Sequence, residues 1–326
     1  MVRLLSDGDV KRLFSMKDAI AAVEHVFAED ALGKAVMPSK IYLNVEGYGD
    51  FRAMPAYVPS IDTAGIKWVS VYPDNPHKGI PTVMATLLLN DPQTGKLLCA
   101  INASTLTDLR TGAAGGVAAK YLARKDSSVV GIIGSGHQAW TQALAYKEVF
   151  GDRIKSVKVY SPHMEHADAF AGRVRAELGY DAQAYKTAQE AADADIIATV
   201  TPAHRPILIA DWVKPGTHIN AIGADAPGKQ ELESMLTIKA RVFVDSIEQA
   251  SHSGEINVPW RQGLLNREKI AGTIGEVITG ILPGRTSDEE ITVFDSTGLA
   301  IQDMAVGHVV YRRALEEGKG TDVNLR

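Results

Sequence analysis

The sequence predicts an α/β protein: a Rossmann-type, doubly wound parallel sheet together with a smaller α+β domain. Three observations carry that prediction. Residues 127–139, Ser-Ser-Val-Val-Gly-Ile-Ile-Gly-Ser-Gly-His-Gln-Ala, join a charge-free β-branched run to a glycine pair and then to a helix-forming segment. From there to about residue 299, strand-like and helix-like segments alternate, the order that builds a parallel sheet with crossover helices. Between residues 40 and 102, strand-like runs follow one another with only turns between them, the order of a mostly antiparallel sheet.

Size and charge bound the rest. A chain of 326 residues with 45% hydrophobic residues is long enough for two domains of ordinary size. A formal net charge of -5 and no long Lys/Arg run leave no electrostatic footprint for nucleic acid. The first residues lack the apolar core of a signal peptide, and no apolar run approaches the ~18 residues of a membrane span, so the expected location is cytoplasmic with no membrane partner. The single cysteine, Cys99, lies in Leu97-Leu-Cys-Ala-Ile101, a packed strand rather than the setting of a reactive thiol.

In chain order, Ser15-Met-Lys-Asp18 has capping-box form and opens an amphipathic helix that runs to about residue 32, before Gly33. Strand-like segments follow at residues 40–45, 51–57, 65–72, 81–89 and 96–102, with turns at Gly47-Tyr-Gly-Asp50 and Asp91-Pro-Gln-Thr-Gly95. Residues 104–123 return to helical spacing, and the domain junction is placed inside that helix, which assigns residues 1–115 to the first domain and 116–299 to the dinucleotide-binding one. Val129 to Ile133 has the composition of a strand buried on both faces. A helix over residues 137–150 follows, with Ala139, Ala143, Leu144 and Tyr146 at helical spacing and Gly151 as its cap. Further strands are expected at residues 156–160, 195–200, 217–225, 241–245 and 291–298, a second capping box at Thr187-Ala-Gln-Glu190, a crossover helix at 163–178 and a long helix at 299–317.

Gly134, Gly136 and Ala139 fill the G-x-G-x-x-G/A pattern between a strand and a helix. Gly134 allows a tight turn, Gly136 lets a pyrophosphate approach the backbone, and Ala139 lets helix and strand pack closely, with the anion held at the helix N-terminus. The alternative is an ordinary strand-to-helix turn; the flanking strand and helix favour the cofactor site. Ligands of such sheets sit beyond the carboxyl ends of the strands, where Asp225 falls. The second strand ends Val159-Tyr-Ser-Pro-His163, without the acid that bonds the ribose 2′-hydroxyl ~20 residues beyond the glycines in NAD sites. Ser161 and His163 could accept a 2′-phosphate, though no arginine stands beside them, so of NAD and NADP the balance tips to NADP or to use of both.

Basic residues on apolar strands single themselves out, because an unpaired buried charge is costly. In Gly65-Ile-Lys-Trp-Val-Ser-Val71, alternation puts Lys67 on one face with Val69 and Val71; the alternative is a lysine snorkelling from a strand edge to water. Lys40 and Arg52 raise the same question less sharply. Arg110, early in the junction helix, could donate two parallel bonds to a carboxylate, or pair with Asp108 or another acid. His163 and His166 have a metal pair's spacing with no third ligand, so no metal is predicted. His204, His252 and Ser296 lack the setting of a hydrolase triad.

Seven stretches together resemble the ornithine cyclodeaminase and μ-crystallin family, within it the archaeal-type alanine dehydrogenases, over nearly the whole chain. They are Phe51-Arg-Ala-Met-Pro-Ala-Tyr57, Gly65-Ile-Lys-Trp-Val69, Leu109-Arg-Thr-Gly-Ala113, Gly134-Ser-Gly-His-Gln138, Thr217-His-Ile-Asn-Ala-Ile-Gly-Ala-Asp-Ala-Pro-Gly-Lys-Gln-Glu-Leu232, Gly254-Glu-Ile-Asn257 and Phe294-Asp-Ser-Thr-Gly-Leu-Ala-Ile-Gln302. The resemblance implies a homodimer whose N-terminal sheets join, a first domain completed by residues 300–326, and a substrate cleft beside a Rossmann domain. It implies that Lys67 and Arg110 hold the carboxylate of an amino-acid or 2-oxo-acid substrate, with Lys67 in the catalytic set, that Lys40 assists, and that Asp225 is the base facing the amino group. His137, Gln138, Thr201, Asn220 and Ser296 match positions along the dinucleotide. The implied activity is reversible hydride transfer between a nicotinamide cofactor and Cα of a small L-amino acid, alanine first. The alternatives are ornithine cyclodeamination, cyclic ketimine reduction, or NADPH binding without turnover. Arg52 argues against ornithine: the resemblance implies that cyclodeaminases of the family carry an acid there for the distal ammonium, and two like charges ~4 Å apart repel by about 4 kcal/mol at an effective dielectric near 20; the alternative is an Arg52 turned outward into an ion pair. Alanine would leave Arg52 free to bind its carboxylate.

Overall fold

The computed structural model describes residues 1–325. In chain order its elements are β1 (Val2–Leu5), α1 (Asp7–Leu13), α2 (Met16–Ala31), β2 (Ile41–Val45), β3 (Gly49–Val58), β4 (Thr63–Val71), β5 (Val83–Asn90), β6 (Leu97–Asn102) and α3 (Ser104–Leu122). Then come β7 (Val129–Ile133), α4 (His137–Phe150), β8 (Ser156–Tyr160), α5 (Met164–Leu178), β9 (Asp181–Tyr185), α6 (Ala188–Ala192), β10 (Ile196–Thr199), β11 (His218–Ala221), α7 (Ser234–Lys239) and β12 (Arg241–Val244). The chain closes with α8 (Ile247–Ser253), α9 (Asn257–Arg261), β13 (Ile270–Thr273), α10 (Ile274–Ile278), β14 (Thr292–Asp295), α11 (Ala300–Glu316) and β15 (Thr321–Val323). Two compact units result: Met1–Arg110 with the chain from Leu299 onward, and Thr111–Gly298.

The first unit is a seven-stranded sheet in the order β15-β1-β6-β5-β4-β3-β2, antiparallel except where β1 runs parallel to β6. Helix α11 lies against β3, β4 and β5 and against α2. Strand pairing sorts the residues by face, since directly opposed side chains point the same way. Met54, Lys67, Leu87 and Ile101 form one cross-strand row, all buried. The alternating row Ile41, Ala53 and Trp68 belongs to the other face, as does Leu43, Phe51, Ser70 and Met84. Of these, Ile41, Leu43, Trp68 and Met84 are exposed, and Phe51 stacks on Trp68 with ring centroids 5.3 Å apart. The sheet thus has one face covered by helices and one largely apolar face on which, among the described residues, Ile41, Leu43, Trp68 and Met84 are exposed.

The second unit is an eight-stranded sheet in the order β13-β12-β14-β11-β10-β7-β8-β9, parallel throughout. From β7 the chain winds outward through β8 and β9, then returns to β10 on the other side of β7, which makes the β7/β10 boundary the topological switch point. Two cores flank the sheet: Val130, Ile132, Tyr146 and Phe170 on one side, Ile197, Ile219, Leu232 and Val293 on the other. Among the described residues no helix is long and apolar enough to cross a membrane.

Candidate active site

The turn from β7 to α4 lies at the switch point. Gly134 has φ 121°, and a Cβ there would stand 2.8 Å from Val200 Cγ2 and 2.9 Å from the Val200 carbonyl oxygen, so the turn admits only glycine. Gly136 differs: it is the N-cap of α4, no side chain caps the helix, and a Cβ added to it would meet nothing within 4 Å. Its backbone is therefore open to a ligand, with the N–H groups of a 14-residue helix behind it. Ala139 is fully buried against the strand. Ser296, just past β14, is buried with a hydroxyl that has no partner among the described residues. An open phosphate cradle and an unsatisfied buried hydroxyl at strand ends fit a dinucleotide.

The other sequence-derived cofactor residues are placed variously. His137 is exposed at the start of α4, and the half-buried Gln138 accepts from Thr141 Oγ1 at 3.2 Å. Ser161, after β8, is buried. Asn220 is on β11. It is fully buried, Nδ2 donates to the Gly115 carbonyl at 2.8 Å and to Tyr146 Oη at 2.9 Å, and Oδ1 lies 2.9 Å from His218 Nε2. Burial pushes His218 down to about 3, so its ring is neutral and donates to Asn220 while Nδ1 meets Thr292. These bonds hold its amide inside the sheet.

Two acids not singled out as functional from the sequence organise the strand ends. Glu231 accepts from Thr199 Oγ1 and the Gly223 N–H at 2.8 Å each through Oε2, and from the Thr201 N–H at 2.6 Å and Thr201 Oγ1 at 2.8 Å through Oε1. Thr201 is thereby fixed by Glu231. Glu255 accepts from the Glu231 N–H at 3.0 Å and the Leu232 N–H at 2.7 Å. Both carboxyls are fully buried, and burial pushes Glu231 up. Glu255 stands well above the ordinary carboxyl range, through burial first and then the neighbouring Glu231 and Asp295.

Asp225 stands past the end of β11 rather than on the strand, since β11 stops at Ala221. Its half-buried carboxylate meets Lys229 Nζ at 2.5 Å. Asn257 holds this loop, accepting from the Gly228 N–H at 2.9 Å and donating to the Lys229 carbonyl at 2.8 Å.

In the first unit, Lys67 does not snorkel. It is 1% exposed, and Nζ lies 2.8 Å from both carboxylate oxygens of Asp303 on α11. Arg110 Nε donates to the same Asp303 Oδ1 at 3.2 Å and Nη1 to Gln302 Oε1 at 3.2 Å. The acid that answers Arg110 is thus Asp303, which nothing local in the sequence had marked. Two cations share one carboxylate inside a covered face, leaving a buried net positive charge. Burial, then Arg110, push the Lys67 ammonium down to about 7, with Lys40 adding to the push and Asp303 opposing it.

Arg52 is buried: Nε donates to Asp50 Oδ1 at 2.7 Å, and the guanidinium lies 5.3 Å from the Tyr42 ring centroid.

Residues 2–318 match the model of the ornithine cyclodeaminase/mu-crystallin family. The chain is 51% identical over 322 residues to an alanine dehydrogenase of Archaeoglobus fulgidus, covering 99% of this chain and 98% of that protein. It resembles the solved structure of an archaeal alanine dehydrogenase dimer with bound NAD at TM-score 0.97 and 50% identity, covering 100% of this chain and 99% of the other. It also resembles Δ1-pyrroline-2-carboxylate reductase of Thermococcus litoralis in complex with NADH and L-proline, at TM-score 0.95 and 39% identity over 99% of this chain and 100% of that one.

Proposed function

The chain belongs to the ornithine cyclodeaminase/mu-crystallin family, and from that premise we propose that it is a nicotinamide-dependent amino-acid dehydrogenase that interconverts L-alanine with pyruvate and ammonia. The observation that carries this reading is the buried cationic pair of Lys67, on an otherwise apolar row, and Arg110 of α3, held by the single carboxylate of Asp303. A buried surplus of positive charge is stable only with an anion beside it, and the carboxylate of a 2-amino or 2-oxo acid supplies one. The 51% identity to an alanine dehydrogenase supports alanine as that acid.

In the oxidative direction, Lys67 and Arg110 hold the carboxylate, with Lys40 adding positive charge. Asp225 takes a proton from the substrate ammonium, which frees the nitrogen lone pair to stabilise the iminium as Cα–H breaks. When bound, a nicotinamide cofactor would supply the hydride acceptor, and the turn at Gly134 and Gly136 would hold its phosphates. Asp225 releases that proton to solvent, then accepts one from the water that adds to the iminium and passes it to the amino group of the carbinolamine, which loses ammonia and its hydroxyl proton to give pyruvate. NAD is the proposed cofactor: both solved relatives hold NAD or NADH, and residues 161–166 include no arginine or lysine to meet a 2′-phosphate. The expectation that tipped to NADP gives way to this reading. The enzyme acts as a homodimer, which the uncovered apolar face of the first unit's sheet and the dimeric relative support.

A second reading, reduction of a cyclic 2-imino acid, is favoured by the pyrroline-carboxylate reductase likeness, because the same cation pair would hold that carboxylate. Rates of NADH oxidation with pyruvate plus ammonia, measured beside Δ1-pyrroline-2-carboxylate reduction and proline formation from ornithine, separate the readings. The expected outcome is ammonia-dependent pyruvate reduction with the highest kcat/KM; efficient proline formation without pyruvate activity would overturn the proposal.

A further inference from the structure

We propose that Asp303 is the positioning residue of the carboxylate site: it aims the Lys67 side chain and keeps it in the ammonium form that binds the substrate. The inference rests on the dehydrogenase reading for what the site binds, but not for how Lys67 is held.

Asp303 lies in the first turn of α11, is 2% exposed, and reaches both cations, Lys67 Nζ at 2.8 Å and Arg110 Nε at 3.2 Å. Its neighbour Gln302 accepts from Arg110 Nη1 at 3.2 Å and from the Leu299 N–H at 3.1 Å, so the start of the helix and the grip on the guanidinium are one structure. The fully buried Gln302 keeps an Nε2 with no partner among the described residues. Across the sheet, the row neighbours of Lys67 are Met54 and Leu87, whose side chains offer it no charged group and no oxygen acceptor. The charged groups acting on its ammonium are Arg110 from α3, Lys40 from the segment before β2, and Asp303 from α11. Two of the three are cations. Asp303 is the one that favours the charged form and the one that sets the direction of Nζ.

Without the Asp303 charge, burial and the two cations act unopposed, and Lys67 loses its proton at lower pH. A neutral amine among apolar side chains binds a carboxylate weakly and cannot polarise a 2-oxo group. The loss then appears as a pH-dependent change in substrate affinity, which a purely structural role for Asp303 would not produce.

The test compares wild type, Asp303→Asn and Asp303→Glu on two readouts. The first is direct titration of Lys67 by NMR of the protein labelled at lysine Cε, assigned with Lys67→Arg. The second is the pH profile of kcat/KM for pyruvate, with NADH binding as a control. The expected result is that Asp303→Asn moves the Lys67 titration and the basic limb of the profile down together by about one pH unit or more, roughly a tenfold loss on that limb. Asp303→Glu, which keeps the charge, is expected to return the titration toward wild type while raising the pyruvate KM. A Lys67 titration that ignores Asp303→Asn, or a kcat/KM lowered equally at every pH, would overturn the proposal. Should Asp303→Asn not fold, Asp303→Glu decides: a pyruvate KM equal to wild type would contradict the aiming role. A wild type that turns over neither pyruvate nor alanine would refute the function reading instead, and the NMR titration would still decide on Asp303.

Discussion

Gly134 and Gly136 answer to different constraints, although the sequence pattern treats them alike. At Gly134 the backbone conformation and the Val200 contacts are at stake; at Gly136 only open space is. Gly134→Ala is therefore expected to lower stability by about 1–3 kcal/mol, the scale of a strained backbone position. Gly136→Leu is expected to leave the melting temperature near wild type and to abolish NADH binding in a fluorescence titration. A Gly136→Leu protein that binds NADH normally would remove the phosphates from this turn. Residue-scale chemistry was legible where a side chain broke its local pattern: Lys67 stood out as a charge in an apolar alternation. Asp303 did not, because an acid in the first turn of a helix looks ordinary, and its role arises only when α11 packs on β3, β4 and β5. The bonds of Asn220 were not legible either, because its partners Gly115 and Tyr146 lie far from it in the chain.

At the scale of elements, the sequence marked long periodic segments and capped helices well. Helix α2 begins at the predicted capping box, and α4 spans the predicted residues. The same kind of box, Ser6 with Asp9, opens α1, where a helix of only 7 residues offers little periodicity to mark it. Strands β1, β9, β13 and β15, of three to five residues each, carry too few positions for alternation to show. The ties between elements were not legible at all. Glu255 bonds the backbone ahead of α7, and Glu231 bonds the ends of β10 and β11, and no local pattern predicts either. These ties have a measurable consequence. The Glu255 carboxyl is held well above 4.5 in the folded chain, so between 4.5 and that raised value the folded state binds more protons than the unfolded state. Stability contributed by the protonated group is full below 4.5 and is lost as pH rises through that window. Glu255→Gln keeps a carbonyl oxygen for the Glu231 and Leu232 N–H groups and removes the titration. Its melting temperature is expected to gain on wild type from about pH 5 upward; a difference that stays constant with pH would contradict the assignment.

At the scale of the whole molecule, the first unit carries an apolar sheet face that its own helices do not cover. Ile41, Leu43, Trp68 and Met84 lie on it in adjacent rows. A contiguous exposed patch of this kind marks an association surface. Trp68→Glu places a charge at its centre and is expected to shift the protein toward its 35.0 kDa monomer in light scattering, while the NADH affinity of the second unit is retained. An unchanged dimer mass would place the interface elsewhere. The central claim is that hydride leaves Cα of alanine for the nicotinamide ring, and the most direct test follows the atom itself. With L-alanine deuterated at Cα and NAD as the acceptor, the account predicts deuterium at C4 of the reduced nicotinamide in stoichiometric yield with pyruvate. Reduced cofactor without deuterium, or no reduced cofactor at all, would contradict it.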